Sequence, residues 1–251
     1  MGYADLHIHS VYSPDSATSV RAILKQASDA QLDIIAITDH DEIRGSLEAR
    51  KLAPSFGIEA IIGAEVSTSD GHLLALFIEN LPPAKMSLVD TLIFIGKQGG
   101  IAIAPHPFNN LPGSLSMEAV LHALTNPRAK GVLKGIETHN MGTRAFNNVA
   151  QKLAIYLPLA RIGGSDSHVY WTVGCARTEF PGRTVHDLRD ALNRNTTVPI
   201  LDDEKFSFRI FLSWFRYMLL RKLGYVSDTI SVAEPINTQR ITQSFIRSIK
   251  K

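Results

Sequence analysis

Residues 4–10 read Ala4-Asp5-Leu6-His7-Ile8-His9-Ser10, an apolar run that carries two histidines two positions apart. Strand side chains at i and i+2 face the same side, so both imidazoles can reach one ion. Similar runs follow at 33–38, 60–65, 73–78, 101–104, 132–137 and 159–163. Each is short and mostly apolar on both faces, as strands of a buried parallel sheet should be. Helical patterns lie between several of them, at 19–30, 42–55, 87–98, 116–124 and 143–153, with Ser19 and Ser116 as N-caps and Gly57 and Gly99 at helix stops. Seven strands with intervening helices predict a parallel α/β fold, and a closed barrel is preferred to an open doubly wound sheet. No glycine-rich phosphate fingerprint follows the first strand.

The titratable residues gather at the ends of these runs. His40 follows the second in Ile37-Thr38-Asp39-His40, and Glu65 ends the third in Gly63-Ala64-Glu65. His106 follows the fifth, His139 the sixth, and Asp166 and His168 the seventh in Ser165-Asp166-Ser167-His168. Asp15 lies in the loop after the first run, and His72 opens the fourth. A parallel barrel collects its catalytic groups where strands end, and His72, at a strand's start, fits that rule least well. Imidazoles and carboxylates without thiolates suit zinc, manganese or iron in an open site. His122 and His186 fall outside the pattern and read as structural.

Composition narrows the class. The 251 residues are 45% hydrophobic and 20% charged, which suits a globular chain with a real core. A single cysteine, Cys175, excludes a disulfide framework and a thiolate-only metal site. It reads as a buried structural residue. No run is long and apolar enough for a transmembrane helix, and no basic stretch followed by an apolar run opens the chain, so a cytoplasmic protein is expected. The net charge of +2 hides an asymmetry: residues 1–205 carry 18 Lys+Arg against 22 Asp+Glu, and residues 206–251 carry 8 against 2. The composition changes near Asp202-Asp203-Glu204, which divides the chain into a catalytic barrel, 1–204, and a basic, aromatic-rich helical extension, 205–251. Within 206–223 three roles stay open: a helix packed on the barrel, a homo-oligomer contact, or a membrane-surface contact.

Taken together, Asp5-x-His7-x-His9, Asp15, Thr38-Asp39-His40, Gly63-x-Glu65, His106-Pro107 and Ser165-Asp166-x-His168 resemble the PHP family, named for polymerase and histidinol phosphatase. The match keeps the family's order over residues 3–170. The resemblance implies a distorted (β/α)7 TIM-like barrel with two or three divalent ions (zinc, manganese or iron) that hydrolyses phosphoesters. It implies metal ligation by His7, His9, Asp15, His40, Glu65, His72, His106, Asp166 and His168, with catalytic roles for Glu65, Asp166 and His168. Glu65 would bridge ions; His7, His9 and Asp166 would complete one site, Asp15, His40 and His168 a second, and His72 and His106 a third. His72 rests on context, and His139 is its natural substitute.

The implied reaction is attack of a metal-activated water on a phosphomonoester or small nucleotide phosphoester. A nuclease acting on phosphodiesters and a non-catalytic metal-binding accessory domain are the alternatives. No long basic groove is evident, so a small phosphorylated substrate is expected and a stable nucleic-acid partner is not. Arg44, His139, Arg144 and Arg177 are candidates for substrate binding. Asp39 either orients a ligand imidazole or caps its loop, and Gly163-Gly164 is expected to allow a tight turn before Asp166.

Overall fold

The computed structural model describes residues 1–109 and 111–202, together with Leu212, Phe215, Arg216 and Leu219. All seven expected strands form: β1 (Gly2–Ile8), β2 (Ile34–Ile37), β3 (Glu59–Thr68), β4 (Gly71–Leu76), β5 (Ile101–Ala104), β6 (Leu133–Asn140) and β7 (Ala160–Gly164). Two more, β8 (Ala176–Phe180) and β9 (Val198–Leu201), extend the sheet, whose order is β7-β6-β5-β4-β3-β2-β1-β8-β9. The expected helices also form as α1 (Val20–Asp29), α2 (Arg44–Leu52), α3 (Leu88–Lys97), α4 (Met117–Thr125) and α5 (Asn147–Ala154). Ser19 and Ser116 cap α1 and α4 by accepting from the N–H groups of Ala22 and Ala119. α2 is shorter than its pattern. Pro54 lacks the N–H that would continue it, so Ala53–Phe56 tightens into a 3-10 turn that ends on left-handed Gly57.

The sheet is not all parallel. β3 and β4 form an antiparallel hairpin through Ser69-Asp70, and β4 is also antiparallel to β5. The start of β4 therefore lies at the same end of the barrel as the C-terminal ends of the parallel strands. His72 pairs across from Ser67, which removes the misfit noted for it in an all-parallel barrel.

Strand alternation sorts the inward faces into two levels. Ile61 of β3 and Leu74 and Leu76 of β4 join Ala4, Leu6, Ile34, Ile103, Ile162 and Phe180 in one apolar cluster inside the barrel. Two and four residues along the same faces stand His72 and Glu65. A helix absent from the sequence reading, α6 (Val185–Arg194), plugs the apolar end with Leu188, Ala191 and Leu192. Its start carries a capping box between Thr184 and Asp187. In β1, Leu6 packs inside while Ile8 packs outward against α1, and the pairing with β2 shifts register between Asp5 and Ile8. That irregularity lets His7 and His9 both reach the polar end of the interior.

The barrel is nearly closed. At its polar end the His9 N–H donates to the Ser167 carbonyl at 2.9 Å. At its apolar end β8 pairs antiparallel with β1, and the Thr178 hydroxyl donates to the Gly163 carbonyl at 2.9 Å. Fully buried Asp5 ties β1 to the segment after β7 and to the turn before β8: Oδ1 accepts from the Ser165 N–H at 3.0 Å and Oδ2 from the Gly174 N–H at 2.9 Å. Gly163 and Gly164 lie within β7 and have no left-handed backbone, which corrects the expected turn. A Cβ on Gly163 would stand 2.5 Å from the Arg177 carbonyl oxygen, so close strand approach is what demands glycine there.

Among the described residues no helix is long and apolar enough to cross a membrane. The extension proposed for 205–251 lies almost wholly outside the described residues; Leu212, Phe215, Arg216 and Leu219 are helical and exposed.

Replacing Asp5 with Ala would strand two buried N–H groups at about 1–3 kcal/mol each. Urea unfolding of D5A should show a loss of about 2–6 kcal/mol. A loss below about 1 kcal/mol would show that closure does not depend on this carboxylate.

Candidate metal centre

Glu65 ends the inward face of β3, 1% exposed, and its backbone is clamped by the loop after β2. Its N–H donates to the Asp39 carbonyl at 3.1 Å, and its carbonyl accepts from the Asp41 N–H at 2.9 Å. Five imidazoles surround its carboxylate. Oε2 lies 3.3 Å from His7 Nε2, 3.3 Å from His9 Nε2 and 3.3 Å from His40 Nδ1. Oε1 lies 2.9 Å from His72 Nδ1 and 3.1 Å from His106 Nε2.

Two further carboxylates extend the cluster. Asp166 Oδ1 is 3.3 Å from His9 Nε2 and 3.5 Å from His7 Nε2. Asp15 Oδ2 is 3.2 Å from His40 Nε2 and 3.1 Å from His168 Nε2. The backbone is strained where ligand candidates enter: His106 has φ +28° and Asp166 φ +50°, conformations that L side chains rarely adopt. Gly142 leaves room for Asp166, since a Cβ there would be 2.8 Å from Asp166 Oδ2.

The electrostatics follow from this crowding. Burial disfavours charge on the histidines, but the Glu137, Asp166 and Glu65 carboxylates outweigh it and hold His7 well above the ordinary imidazole range. Against the same burial, Asp166 and Glu65 hold His9 at about 10, and Glu65 raises His106. Burial would raise Glu65 and Asp166, yet the imidazoles keep both well below the usual carboxylate range. Asp15 is lowered by His168 and His40 against its own desolvation. Without a cation His7, His9 and His106 therefore hold a proton more tightly than a free imidazole does.

The donor set fits divalent ions. Four overlapping groups have ligand atoms within 4.8 Å of one another: His9, Asp15, His40 and His168; His7, His9 and Asp166; His7, Glu65 and His106; and His40, Glu65 and His72. Buried His9 Nε2 and His72 Nδ1 make no hydrogen bond, although each faces a Glu65 oxygen. Lone pairs converging on shared points, with nitrogen and oxygen donors only, suit zinc, manganese or iron. All nine residues carried over as ligands are thus brought together. The groups are not divided as expected: His9 also joins Asp15, His40 and His168, His72 shares Glu65 with His40, and His106 shares it with His7.

None of the residues named for substrate contact belongs to these four groups. A register shift in β6 between Glu137 and His139 turns His139 away from the centre, where its ring meets the Thr138 hydroxyl and Gln151. His139 and Arg144 line a separate cavity of about 390 Å³ with Asn147, Asn148, Gln151 and Leu201. Arg177 donates to the Gly174 carbonyl at 3.0 Å and stacks on Tyr3. Exposed Arg44 pairs with Glu42 at 2.6 Å and lies over Tyr12. Asp39 caps the turn after β1: it accepts from the Ser10 N–H at 2.6 Å and the Ser10 hydroxyl at 2.7 Å, without touching a ligand imidazole.

The sequence reading missed Glu137 and Asn140. Glu137, buried in β6, accepts from the His106 N–H at 2.9 Å and lies 2.9 Å from His7 Nδ1. An ionisable residue inside an apolar strand run was the available signal.

Comparison with known proteins agrees with this geometry. Residues 5–152 match the model of the PHP domain, and residues 144–197 match that of the PHP-associated region. A Methanocaldococcus jannaschii protein described as uncharacterized is 43% identical over 116 residues, 42% of this chain and 68% of its own. The phosphoribosyl 1,2-cyclic phosphate 1,2-diphosphodiesterase of Eggerthella lenta is 34% identical over 90 residues, 34% of each chain. A solved two-domain protein of Bacteroides vulgatus, containing a predicted PHP-like metal-dependent phosphoesterase, has the same fold with a TM-score of 0.66 at 22% identity. That likeness covers 79% of this chain and 64% of the other. With more than half of its residues inside the domain match, and with a convergent His, Asp and Glu cluster at the polar end of its barrel, this chain belongs to the PHP domain family.

Proposed function

We propose that the chain hydrolyses a small phosphomonoester or nucleotide phosphoester, using two or three divalent ions held around Glu65. The observation that carries this reading is the set of five imidazoles on one buried carboxylate. Asp15, Glu65 and Asp166 bring three negative charges, which two divalent ions suffice to offset with every imidazole neutral. When bound, such ions activate a water and neutralise charge on the phosphoryl oxygens.

The protein's own groups set the geometry of that reaction. Glu65 offers Oε2 to one side of the cluster and Oε1 to the other, so it can bridge two ions. His168 Nδ1 lies 2.9 Å from the Asp166 carbonyl, which orients Nε2 towards Asp15. Asp15, His40, His72 and His168 are half-exposed while His7, His9 and Glu65 are buried, so the substrate approaches from the Asp15 and His72 side. Cys175 is fully buried with its thiol towards the Trp171 carbonyl, which supports a water rather than this thiol as the nucleophile. Arg144 and His139 line a polar cavity that contains none of the ligand candidates, so a contact from them would be with a part of the substrate remote from the phosphate. The Eggerthella relative, named as a diphosphodiesterase, supports a second reading in which the substrate is a small phosphodiester.

Three measurements test this function. His9→Ala and Asp166→Asn should both fold, bind less metal and lose hydrolysis to background, whereas Cys175→Ala should keep near-full turnover. Wild-type turnover by either of the first two would remove the cluster from catalysis. The metal-loaded protein assayed on phosphorylated metabolites, cyclic phosphodiesters and short oligonucleotides should prefer the small monoesters. Faster cleavage of oligonucleotides would favour the nuclease.

Because carboxylates raise the proton affinity of His7, His9 and His106, loading with Zn²⁺ near pH 7 should release protons. Calorimetry in buffers of different ionisation enthalpy measures that release. Affinity should fall as pH falls, since protons and ions compete for the same lone pairs. Binding without proton release would contradict the assigned ligands.

A further inference from the structure

The two oxygens of Glu137 hold two ligand candidates at once. Oε1 lies 2.9 Å from His7 Nδ1, and Oε2 accepts from the His106 backbone N–H at 2.9 Å. Asn140 completes the arrangement: its Nδ2 donates to Glu137 Oε2 at 2.9 Å and reaches Asp166 Oδ2 at 3.4 Å. Asn140 is itself fixed by Asn147, whose side chain bonds both its N–H and its carbonyl at 3.0 Å. Gly164 makes the space, since a Cβ there would collide with Glu137 Oε1 and stand 2.9 Å from the His7 Cβ.

Glu137 lies in none of the four ligand groups of the centre. It nevertheless touches a residue of β1, the loop after β5 and, through Asn140, the loop after β7. A carboxylate accepting from Nδ1–H leaves the Nε2 lone pair of His7 directed at Glu65 and Asp166. The same carboxylate anchors His106, whose backbone is strained, on the other side of Glu65. The spacing of His7 and His106 across Glu65 is therefore set by one side chain that ligates nothing.

We propose that Glu137 is a positioning residue that fixes His7 as an Nε2 ligand and sets the spacing of His7 and His106 about Glu65, with Asn140 transmitting the same constraint to Asp166. This rests on the reading of the cluster as a metal centre. Carboxylate partners of ligand histidines affect metal affinity about 10–100-fold. Glutamine in this position can satisfy only one of its two neighbours as glutamate does. If its amide nitrogen donates to His7 Nδ1, the proton moves to Nε2 and the lone pair is lost to the ion.

The test compares the full-length wild type with Glu137→Gln, both stripped of metal and titrated with Co²⁺. Thermal unfolding of the stripped proteins reports structure, the visible Co²⁺ spectrum reports ligand geometry, and ¹⁵N-histidine NMR of the Zn²⁺-loaded proteins reports the His7 tautomer. The expected result is a folded E137Q that binds Co²⁺ about 10–100-fold more weakly, with an altered spectrum and a reduced Nδ1–H population at His7. Wild-type affinity and spectrum in folded E137Q would overturn the inference while leaving the metal centre standing. Failure of the wild type to bind Co²⁺ would overturn both. If E137Q does not fold, Glu137→Asp decides: the shorter carboxylate cannot span His7 and the His106 N–H, so the same weakening is expected with the tautomer retained, and unchanged affinity would refute it.

Discussion

One buried carboxylate facing five imidazoles organises the polar end of this molecule. Neutral imidazoles whose N–H is given elsewhere, as when His7 gives Nδ1–H to Glu137, turn repelling lone pairs on the Glu65 oxygens. If the imidazoles are all protonated, the cluster buries more positive charge than its carboxylates can offset. Divalent cations between nitrogen and oxygen remove the conflict in either case. The fold puts Glu65 where it can act this way: β3 lies between β2 and β4, and the Glu65 backbone is bound to Asp39 and Asp41 on either side of His40. The ligands then arrive from six separate segments at one point.

The barrel can hold such a cluster because its other end is apolar. On the faces that carry Glu65 and His72, residues nearer the other end are Ile61, Leu74 and Leu76, packed with Phe180 and sealed by α6. Burial of those side chains stabilises the fold by roughly 1.5–3 kcal/mol each, which offsets the charges, bonds and strained backbones gathered at the polar end. His106 and Asp166 keep left-handed backbones that no isolated loop would choose. Their neighbours hold them: the Asn109 amide donates to the His106 carbonyl at 2.7 Å, and Asn140 reaches Asp166.

The sequence made some of this legible and not the rest, for physical reasons. Apolar runs, most with His, Asp or Glu at their ends, located seven strands, and the resemblance to the PHP family supplied the nine ligand candidates, Asp15 and His72 among them. Strand direction was invisible, because apolar content is the same whichever way a buried strand runs; β4 read as parallel, and His72 looked misplaced. β8 alternates buried and half-exposed residues and β9 contains Pro199, so neither reads as an apolar run. α6 had a legible start in Thr184 and Asp187. Glu137 and His139 are two apart and would share a face in a regular strand, but the register shift between them separates their environments. Arginines were chosen by proximity in sequence to the motifs, which says nothing of the partners that Arg177 and Arg44 find in Gly174 and Glu42.

The most direct test of the central claim is anomalous diffraction from crystals of the full chain grown with Zn²⁺ or Mn²⁺, recorded above and below the metal edge. The account predicts at least two separate peaks in contact with Glu65, one on the side of His7, His9 and Asp166 and another towards His72 or His106. Peaks only at surface carboxylates, with the Glu65 cluster empty at saturating metal, would contradict it.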